Sequence, residues 1–334
     1  MVNISTNYLG LQLRSPIIVG SSGLTEKLSQ LEHIEKAGAG AVVLKSIFEE
    51  EIISELNANL KAINNETFVY PESLDYYEDN FHIDDSTSKY LELIANAKKS
   101  ISIPVIASIN CITPNEWTYF PKQIELAGAD ALELNIFLLP SDSHRSAEDC
   151  EKIHFDIIKE VKKDLKIPVS VKISNYSANL SQFISKLSQT DIDGLVLFNR
   201  SYSPDIDLNT LEIKSFVVLS DENDYVLPLR WVAISRDKVK CSIASSTGVH
   251  HGKEVAKMIL AGADAVQIVS AFYKNGFYFL ENIHEELKNF MRNNNYNSLN
   301  QFRGKLSMNN SQNPAAFERV QFMKYFRGYR EDFE

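Results

Sequence analysis

Cysteine is scarce in this sequence, with three residues among 334, and no two of them form a CxxC pair. Such a set argues against a disulfide framework and fits a reducing compartment. It provides no iron–sulfur segment either, and the sequence predicts no metal site.

Long apolar runs are also missing, since none approaches the roughly 18 residues that span a bilayer. The opening MVNISTNYLGLQL lacks the basic region and apolar core of a signal peptide. We therefore expect a cytoplasmic protein with no membrane segment.

Basic residues are fewer than acidic ones. The chain has 34 lysines and arginines and 44 aspartates and glutamates, which gives a net charge of −10. That balance gives no sign of a nucleic-acid partner or a membrane surface. The expected partners are small molecules and other protein subunits. Apolar residues, in contrast, make up 44% of the chain, which is ordinary for a globular protein with a buried core.

A recurring cassette marks the junctions between helices and strands. A helix ends in small residues and glycine, and the short apolar strand that follows ends in a polar residue. Glycine supplies the left-handed turn at the end of a helix. The strand is apolar on both faces, as parallel strands covered by helices are. The copies are KAGAGAVVLKS (36–46), LAGADALELN (126–135), LAGADAVQIVS (260–270) and, more loosely, TDIDGLVLFN (190–199).

Four other apolar runs complete a set of about eight strands, namely PIIVGSS (16–22), IPVIASIN (103–110), IPVSVKIS (167–174) and CSIASST (241–247). Helical patterns alternate with them near 25–38, 88–100, 117–128, 146–164, 178–189, 228–237, 251–262 and 277–292. This alternation predicts an α/β protein with the (β/α)8 TIM barrel fold. A doubly wound sheet is the structural alternative. We expect one domain over residues 1–334, with a C-terminal extension over about 293–334.

Two stretches are too long for simple loops, namely residues 48–87 after the second strand and 200–227 after the sixth. Both are polar and aromatic, and both should lie over the C-terminal mouth of the barrel, where active sites are found. A lid or specificity role is one interpretation of each stretch, and an oligomer contact or surface decoration is an equally good one. The aromatics and arginines of the extension predict packing against the barrel or a neighbouring subunit, so a homodimer is one expected state.

The mouth of a barrel collects the residues at the C-terminal ends of its strands. Here they include two lysines, three asparagines and several hydroxyls. A single polar residue at a strand end is commonly a buried group whose hydrogen bonds are made within the protein. A whole rim of them is harder to explain by a structural role alone, because unpaired buried amides and ammoniums are costly. The rim consists of Ser21, Ser22, Lys45, Ser46, Ser108, Asn110, Asn135, Lys172, Ser174, Asn199, Ser246, Thr247, Gly248 and Ser270.

Two features of this rim indicate a negatively charged ligand. The loop ASSTGVHHGKEV (244–255) follows the seventh strand, where backbone N–H groups and a helix N-terminus can hold a phosphate, and Ser270 ends the eighth. A plain turn with a helix cap is the alternative for this loop. Lys45 and Lys172 lie in apolar strands, where an ammonium needs an anionic partner or a special function. They suit charge stabilisation on a ring system or Schiff-base chemistry, and the nearby amides favour the first.

An ordered set of motifs resembles the dihydroorotate dehydrogenase family, whose members are FMN-containing barrels. The set spans nearly the whole chain: YLGLQLRSPIIVGSSG, VVLKS, ALELN, VSVKIS, ASSTG, AGADAVQIVSAFYKNG and YNSLNQFRGKL. The resemblance implies that Lys45 and Asn135 touch flavin and substrate. It also implies that Lys172 lies near the flavin ring, where positive charge favours the reduced anionic flavin.

The resemblance implies further cofactor contacts. Ser21 and Ser22 would line the flavin ring, Asn199 would face the substrate, and Thr247, Gly248 and Ser270 would hold the FMN phosphate. The complete cofactor-binding set, with the rim residues added, is Ser21, Ser22, Lys45, Asn110, Asn135, Lys172, Asn199, Ser246, Thr247, Gly248 and Ser270.

The resemblance breaks in the loop after the fourth strand. The family carries a Cys or Ser base there, three residues after the strand-end Asn, but Leu138 stands at the matching position and cannot act as a base. The family's second Asn in this loop is missing, as is its Asn- and Gly-rich substrate segment around 64–80. The replacement candidates, each with an ordinary structural interpretation as well, are Cys111, Tyr176, Ser177, Ser141 and Asp142. His250 and His251 are expected to contact phosphate or solvent.

We therefore expect an FMN-dependent oxidoreductase that oxidises dihydroorotate to orotate, in pyrimidine biosynthesis, or acts on a related cyclic compound. Lys45, Asn135, Lys172 and Asn199 form the expected catalytic set, with the base unassigned. The substrate would lose a hydride to the flavin, and an electron-acceptor partner would reoxidise it. Two alternatives stay open at this point: a non-catalytic flavin-binding barrel that has lost its base, and a flavin-free Schiff-base lyase that uses one of the two lysines.

Overall fold

A closed barrel of parallel strands organises the chain. The computed structural model describes residues 2–64, 86–200, 204–215 and 218–318. Each barrel strand is paired in parallel with its neighbours, and pairing of the second strand with the third closes the ring. In chain order the barrel strands are β3 (Ile17–Val19), β4 (Ala41–Val43), β6 (Val105–Cys111), β7 (Ala131–Ile136), β8 (Val169–Ile173), β9 (Gly194–Leu197), β12 (Ser242–Ser246) and β13 (Ala265–Ile268). The TIM barrel prediction is confirmed.

Helices cover the outside of the barrel. They are α1 (Leu28–Ala37), α2 (Glu49–Asn64), α3 (Ser86–Ser100), α4 (Phe120–Leu126), α5 (Ala147–Lys162), α6 (Leu180–Leu187), α7 (Val226–Ser235), α8 (Gly252–Ala261), α9 (Ser270–Asn275) and α10 (Phe279–Asn293). All eight predicted helices are among them. The cassette glycines Gly38 and Gly262 have φ of 102° and 124°, so they make the positive-φ turns that the sequence predicts. None of the helices in the described part of the chain is both long enough and apolar enough to cross a membrane.

The side chains of each strand alternate between two separate apolar layers. In β6, for example, Ile106 belongs to the layer inside the barrel, whereas Val105 and Ala107 belong to the layer between the strands and the helices. The same alternation holds in β7, where Ala131 lies inside and Leu132 outside. Because this alternation continues along each strand, it decides which polar residues reach the interior and which do not.

A short hairpin that was not predicted closes the N-terminal end of the barrel. It consists of β1 (Thr6–Tyr8) and β2 (Leu11–Leu13), and its Tyr8 and Leu9 are buried in the inner apolar layer. A Cβ atom at Gly194, the first residue of β9, would lie 2.4 Å from the Leu9 side chain. Glycine at that position therefore makes room for the hairpin, and the reactive end of the barrel must be the opposite, C-terminal one.

The two long excursions contain regular structure that was not expected. The first holds the short strand β5 (Ile47–Phe48) and helix α2, and residues 65–85 lie outside the described part. The second forms an antiparallel hairpin of β10 (Pro204–Asp207) and β11 (Glu212–Ser215). A lid or specificity role for either excursion stays a prediction.

The C-terminal extension packs on the barrel up to residue 318, after which the chain lies outside the described residues. Phe302 is fully buried and stacks on Tyr296, with ring centroids 5.0 Å apart. The predicted packing against the barrel therefore holds for this first part of the extension. The aromatic segment around 319–330 was part of the same prediction and is not described.

Burial of a histidine makes the stability depend on pH. Burial beside Phe183 lowers the pKa of His154 to about 4, whereas an unfolded histidine titrates near 6.5. The neutral folded form loses up to about 3 kcal/mol of stability as pH falls from about 6.5 to 4, because the unfolded chain binds the proton first. Urea unfolding across this range should show the loss. His154→Leu should remove the His154 part of it and leave the part from His284, whose pKa burial also lowers to about 4. Exposed His33→Gln should remove none of it. Equal slopes in all three proteins would contradict the assignment.

Candidate active site

Two amides meet at the C-terminal mouth of the barrel. Asn135 is the next-to-last residue of β7, and Asn199 lies just beyond β9, where its backbone N–H donates to Ile173 O at 2.9 Å. The Asn199 side-chain nitrogen donates to Asn135 Oδ1 at 3.3 Å. The Asn199 side-chain oxygen is buried and has no hydrogen-bond partner among the described residues. An unpaired buried carbonyl is costly, so this oxygen is poised to accept a hydrogen bond from a ligand.

The register of the sheet places further predicted residues beside this pair. Asn110 on β6 is the Cα partner of Asn135, and Asn135 is the partner of Lys172 on β8. Because partners in parallel strands point to the same side, these three side chains line one level of the barrel interior. The structure thus brings together a group that lies far apart in the sequence.

A buried polar network surrounds Lys172, which is 8% exposed as the sequence predicts for a strand lysine. Its ammonium donates to Gln267 Oε1 at 2.9 Å and lies 3.6 Å from Glu133 Oε1. The Gln267 amide nitrogen in turn donates to Glu133 Oε2. Glu133 is 1% exposed, so the carboxylate is the anionic partner that the buried ammonium needs.

Glu133 and Gln267 were not among the predicted site residues, although a signal for them exists. Glu133 stands two residues before Asn135 and so points to the same side of β7. A charged residue in the middle of a strand that is otherwise apolar has to face a partner. An interior charge of this kind therefore indicates a site residue as much as a polar residue at the strand end does.

The expectation for Lys45 is wrong in one respect. Strand β4 ends at Val43, and the Lys45 side chain beyond it is 54% exposed and bonded to Glu26 at 2.9 Å. Its ammonium is therefore hydrated and paired at the surface, rather than buried in an apolar strand. The predicted contact with flavin and substrate stays a prediction.

Hydroxyl groups form a chain along one side of the mouth. Ser21 and Ser46 are linked at 3.0 Å, and Ser46 and Ser108 at 2.7 Å. Tyr90 from α3 bonds to the backbone of Ser108, at 2.7 Å to its nitrogen and 3.1 Å to its oxygen. Ser22, predicted to line the flavin ring, caps a short 3-10 helix by accepting from Leu24 N.

The predicted phosphate loop has an unusual backbone. Thr247 and Gly248 both have positive φ, at 79° and 77°. Ser270, at the start of α9, accepts a hydrogen bond from Ser220 N at 2.9 Å, and the Ser220 hydroxyl bonds to buried His250 at 3.1 Å. The two loops predicted to hold phosphate therefore lie together at the mouth, joined by the segment before α7.

Gly248 offers a matched test of this loop. A Cβ there would lie 2.1 Å from Tyr225 N, whereas at Gly10 in the β1–β2 turn, which has the same φ of 77°, it would meet nothing within 4 Å. We expect Gly10→Ala to lower the free energy of unfolding by about 1 kcal/mol. Gly248→Ala should lower it by about 3 kcal/mol or more and reduce flavin retention. Urea unfolding and flavin absorbance measure both effects, and similar losses in the two variants would contradict the packing described.

The candidate bases lie in different local environments. Cys111 is fully buried in the layer between strands and helices, and burial raises the pKa of its thiol well above the ordinary value. Ser141 and Asp142 are exposed, and the Ser177 hydroxyl donates to Glu151 at 3.2 Å. Tyr176 packs edge-on against Phe137, with ring centroids 6.5 Å apart.

His251 does not join these groups at the mouth. It caps α8 and lies 3.4 Å from Glu222, so it faces the surface.

The residues at the mouth fit the flavin that the sequence implies. The unpartnered Asn199 oxygen can accept from a ring N–H, and the neighbouring amides can meet ring carbonyls. Lys172 supplies a buried positive charge at the same level, and the left-handed Thr247–Gly248 backbone with Ser270 suits a phosphate.

Comparison with known proteins agrees with this arrangement. The family model described as Dihydroorotate dehydrogenase matches residues 3–291. A protein of Methanocaldococcus jannaschii named dihydroorotate dehydrogenase B (NAD(+)), catalytic subunit, is 25% identical over 300 residues, which cover 86% of this chain and 94% of the relative. A protein of the same name from Thermoplasma volcanium is 27% identical over 299 residues, covering 87% and 94%. The chain therefore belongs to the dihydroorotate dehydrogenase family, and it is an FMN-dependent oxidoreductase that acts on CH–CH bonds.

Proposed function

We propose that this enzyme oxidises dihydroorotate to orotate, in pyrimidine biosynthesis, or acts in the same way on a related cyclic compound. The observation that supports this most is the amide pair Asn135 and Asn199 at the mouth, with one carbonyl oxygen left unpaired. Amides of this kind bind the alternating N–H and C=O groups of a cyclic imide or of a flavin ring. Bound FMN supplies the hydride acceptor for such a reaction.

The residues of this chain would orient the ring and stabilise charge. Asn110, Asn135 and Asn199 would hydrogen-bond the cofactor and substrate, and Lys172 would stabilise the negative charge that develops during hydride transfer. Ser246, Thr247, Gly248 and Ser270 would hold the phosphate. Ser21, Ser22 and Lys45 complete the proposed cofactor set.

The proton acceptor is where the enzyme departs from its family. Leu138 is half-buried and has no titratable group, and the Cys111 thiol is buried in the layer between strands and helices rather than facing the barrel interior. Tyr176 is the candidate that packs beside the altered loop, through Phe137. We propose that the altered loop selects a substrate that differs from dihydroorotate at the carbon which loses the proton, or that Tyr176 takes the proton itself.

An anaerobic visible spectrum before and after addition of dihydroorotate tests the proposal. Bleaching of the flavin band would support dihydroorotate as substrate, and Cys111→Ala should bleach at the wild-type rate, because its thiol is outside the mouth. A flavin band that stays unchanged with dihydroorotate and with related cyclic compounds would favour the non-catalytic binder. Loss of bleaching in Tyr176→Phe alone would identify the base.

The Schiff-base alternative receives little support from the geometry. A Schiff-base lysine has to be neutral to attack a carbonyl. Lys172 lies 3.6 Å from the buried Glu133 carboxylate, and Lys45 is paired with Glu26, so each lysine is engaged by a carboxylate instead of being presented to a carbonyl substrate.

We also propose that the enzyme has protein partners. The relatives are named catalytic subunits, which supports an electron-acceptor partner here. The β10–β11 hairpin exposes Ile206, Leu208, Leu211 and Ile213 by 61% to 83%, and such an apolar ribbon favours association with a second copy. Sedimentation of the purified chain measures the homodimer directly. The cytoplasmic location stays a prediction.

A further inference from the structure

A polar cavity of about 450 Å³ lies at the N-terminal end of the barrel, opposite the flavin site. Five segments build it: the β1–β2 hairpin, the loop between α7 and β12, the start of β12, the loop before β13 and the C-terminal extension. None of its residues takes part in the proposed reaction. The cavity is in the size range of pockets that bind small molecules.

The charge of the cavity is positive, although the protein as a whole has a net charge of −10. Three cationic side chains line it, namely Arg236, Lys240 and Arg303, with Asp264 as the one acidic residue in the lining. Arg236 Nη1 lies 2.9 Å from Asp264 Oδ2, and Arg303 Nε lies 3.4 Å from Asp264 Oδ1. One carboxylate is therefore shared between two guanidinium groups, and the lining keeps an excess of two positive charges.

The donors of these cations are only partly used. Arg303 is held firmly, since it also donates to Thr6 Oγ1 at 2.6 Å and to Ala263 O at 3.2 Å. In the described part of the chain, the Lys240 side chain makes no hydrogen bond and the Arg236 side chain makes one, through Nη1. Fixed and free cationic donors thus face the same cavity, which is the chemistry that recognises a phosphate group.

The remaining side chains of the lining suit the polar, uncharged part of an organic ligand. Asn7, Gln12 and Asn300 contribute amides, and Ser5 and Ser242 contribute hydroxyls. A free inorganic phosphate would fill only part of the volume. Amides and hydroxyls around a cationic centre match a sugar phosphate, in which hydroxyl groups surround one anionic group.

We propose that this cavity is a second ligand site, which binds a small phosphorylated metabolite of the sugar-phosphate class. Lys240 and Arg236 contact the phosphate, and the amides contact the hydroxyl groups. The ion pair of Arg303 and Asp264 fixes the geometry of the site. Because the site joins the C-terminal extension to the barrel, its occupant stabilises that contact.

Calorimetry with the FMN-loaded full-length protein tests the proposal, with ribose 5-phosphate as the probe and ribose as the uncharged comparison. Saturation with FMN keeps the probe out of the phosphate loop at the mouth. Lys240→Gln removes a cation from the cavity. Lys238→Gln is the matched control, since Lys238 lies two residues away, is exposed and bonds to Ser181 at 3.0 Å without lining the cavity.

We expect wild type and Lys238→Gln to bind one ribose 5-phosphate per chain, Lys240→Gln to bind it about tenfold more weakly, and ribose to bind to none of them. If the two lysine variants weaken ribose 5-phosphate binding equally, binding depends on general surface charge and not on this cavity, which would overturn the proposal. Absence of ribose 5-phosphate binding to wild type would overturn it as well. Thermal unfolding of each variant shows that the fold is retained, so a loss of binding cannot be mistaken for misfolding.

Discussion

Lys172→Met is expected to slow anaerobic bleaching of the flavin by substrate about 100- to 1,000-fold at saturating FMN. The ammonium is buried at the level of Asn135, where it can stabilise the charge that develops as hydride leaves the substrate. Methionine keeps much of the volume but carries no charge and cannot donate a hydrogen bond. Stopped-flow absorbance of the flavin band measures the rate directly.

The matched control for this variant is Lys36→Met, which removes an exposed lysine from the last turn of α1. It should bleach at the wild-type rate. A Lys172→Met enzyme that stays within about threefold of wild type would show that the ammonium takes no part in the chemical step. Lys172 would then be a structural partner of Glu133 and nothing more.

Glu133→Leu is expected to lower the free energy of unfolding by about 3–5 kcal/mol, because it leaves a buried ammonium without its carboxylate. Glu133 and Lys172 have side chains that are 1% and 11% exposed, so water screens the pair little. The double variant Glu133→Leu with Lys172→Leu removes both charges and should recover most of the loss. Urea unfolding of the FMN-loaded proteins measures both changes.

An exposed ion pair provides the comparison for this cycle. Glu160 on α5 and Lys163, the residue that follows this helix, pair on the surface, with side chains 34% and 54% exposed. Glu160→Leu should change the free energy of unfolding by less than about 1 kcal/mol. If Glu133→Leu costs no more than that, or if the double variant is less stable than the single one, the buried network does not have the strength described.

Most of the barrel was predictable because its signals are local. Glycine turns and apolar strands repeat along the chain, and each strand of the barrel came from such a run. The hairpin β10–β11 was missed because each strand carries a single large aliphatic residue, Ile206 or Ile213, and both are exposed rather than packed on the core. Helix α2 was missed although Glu49, Glu50 and Glu51 in its first turn are a helix-start signal, since the stretch was interpreted as one long excursion.

The site was predictable where it depends on strand ends and unpredictable where it depends on neighbours. The order of residues places Asn135 and Lys172 at the mouth, but which atoms pair follows from the register between strands. Lys45 illustrates the limit. It follows the apolar residues of β4 in the sequence, but the strand ends two residues earlier and the side chain turns to Glu26.

Titration of the purified protein with FMN, followed by visible absorbance, tests the central claim most directly. The account predicts one FMN per chain, held at the mouth. The bound flavin spectrum should change in Lys172→Met, in which the charge near the ring is lost, and should be unchanged in Lys36→Met. A protein that takes up no FMN, or a bound spectrum that is the same in wild type and Lys172→Met, would contradict a flavin site built on Lys172 and the amides of the barrel mouth.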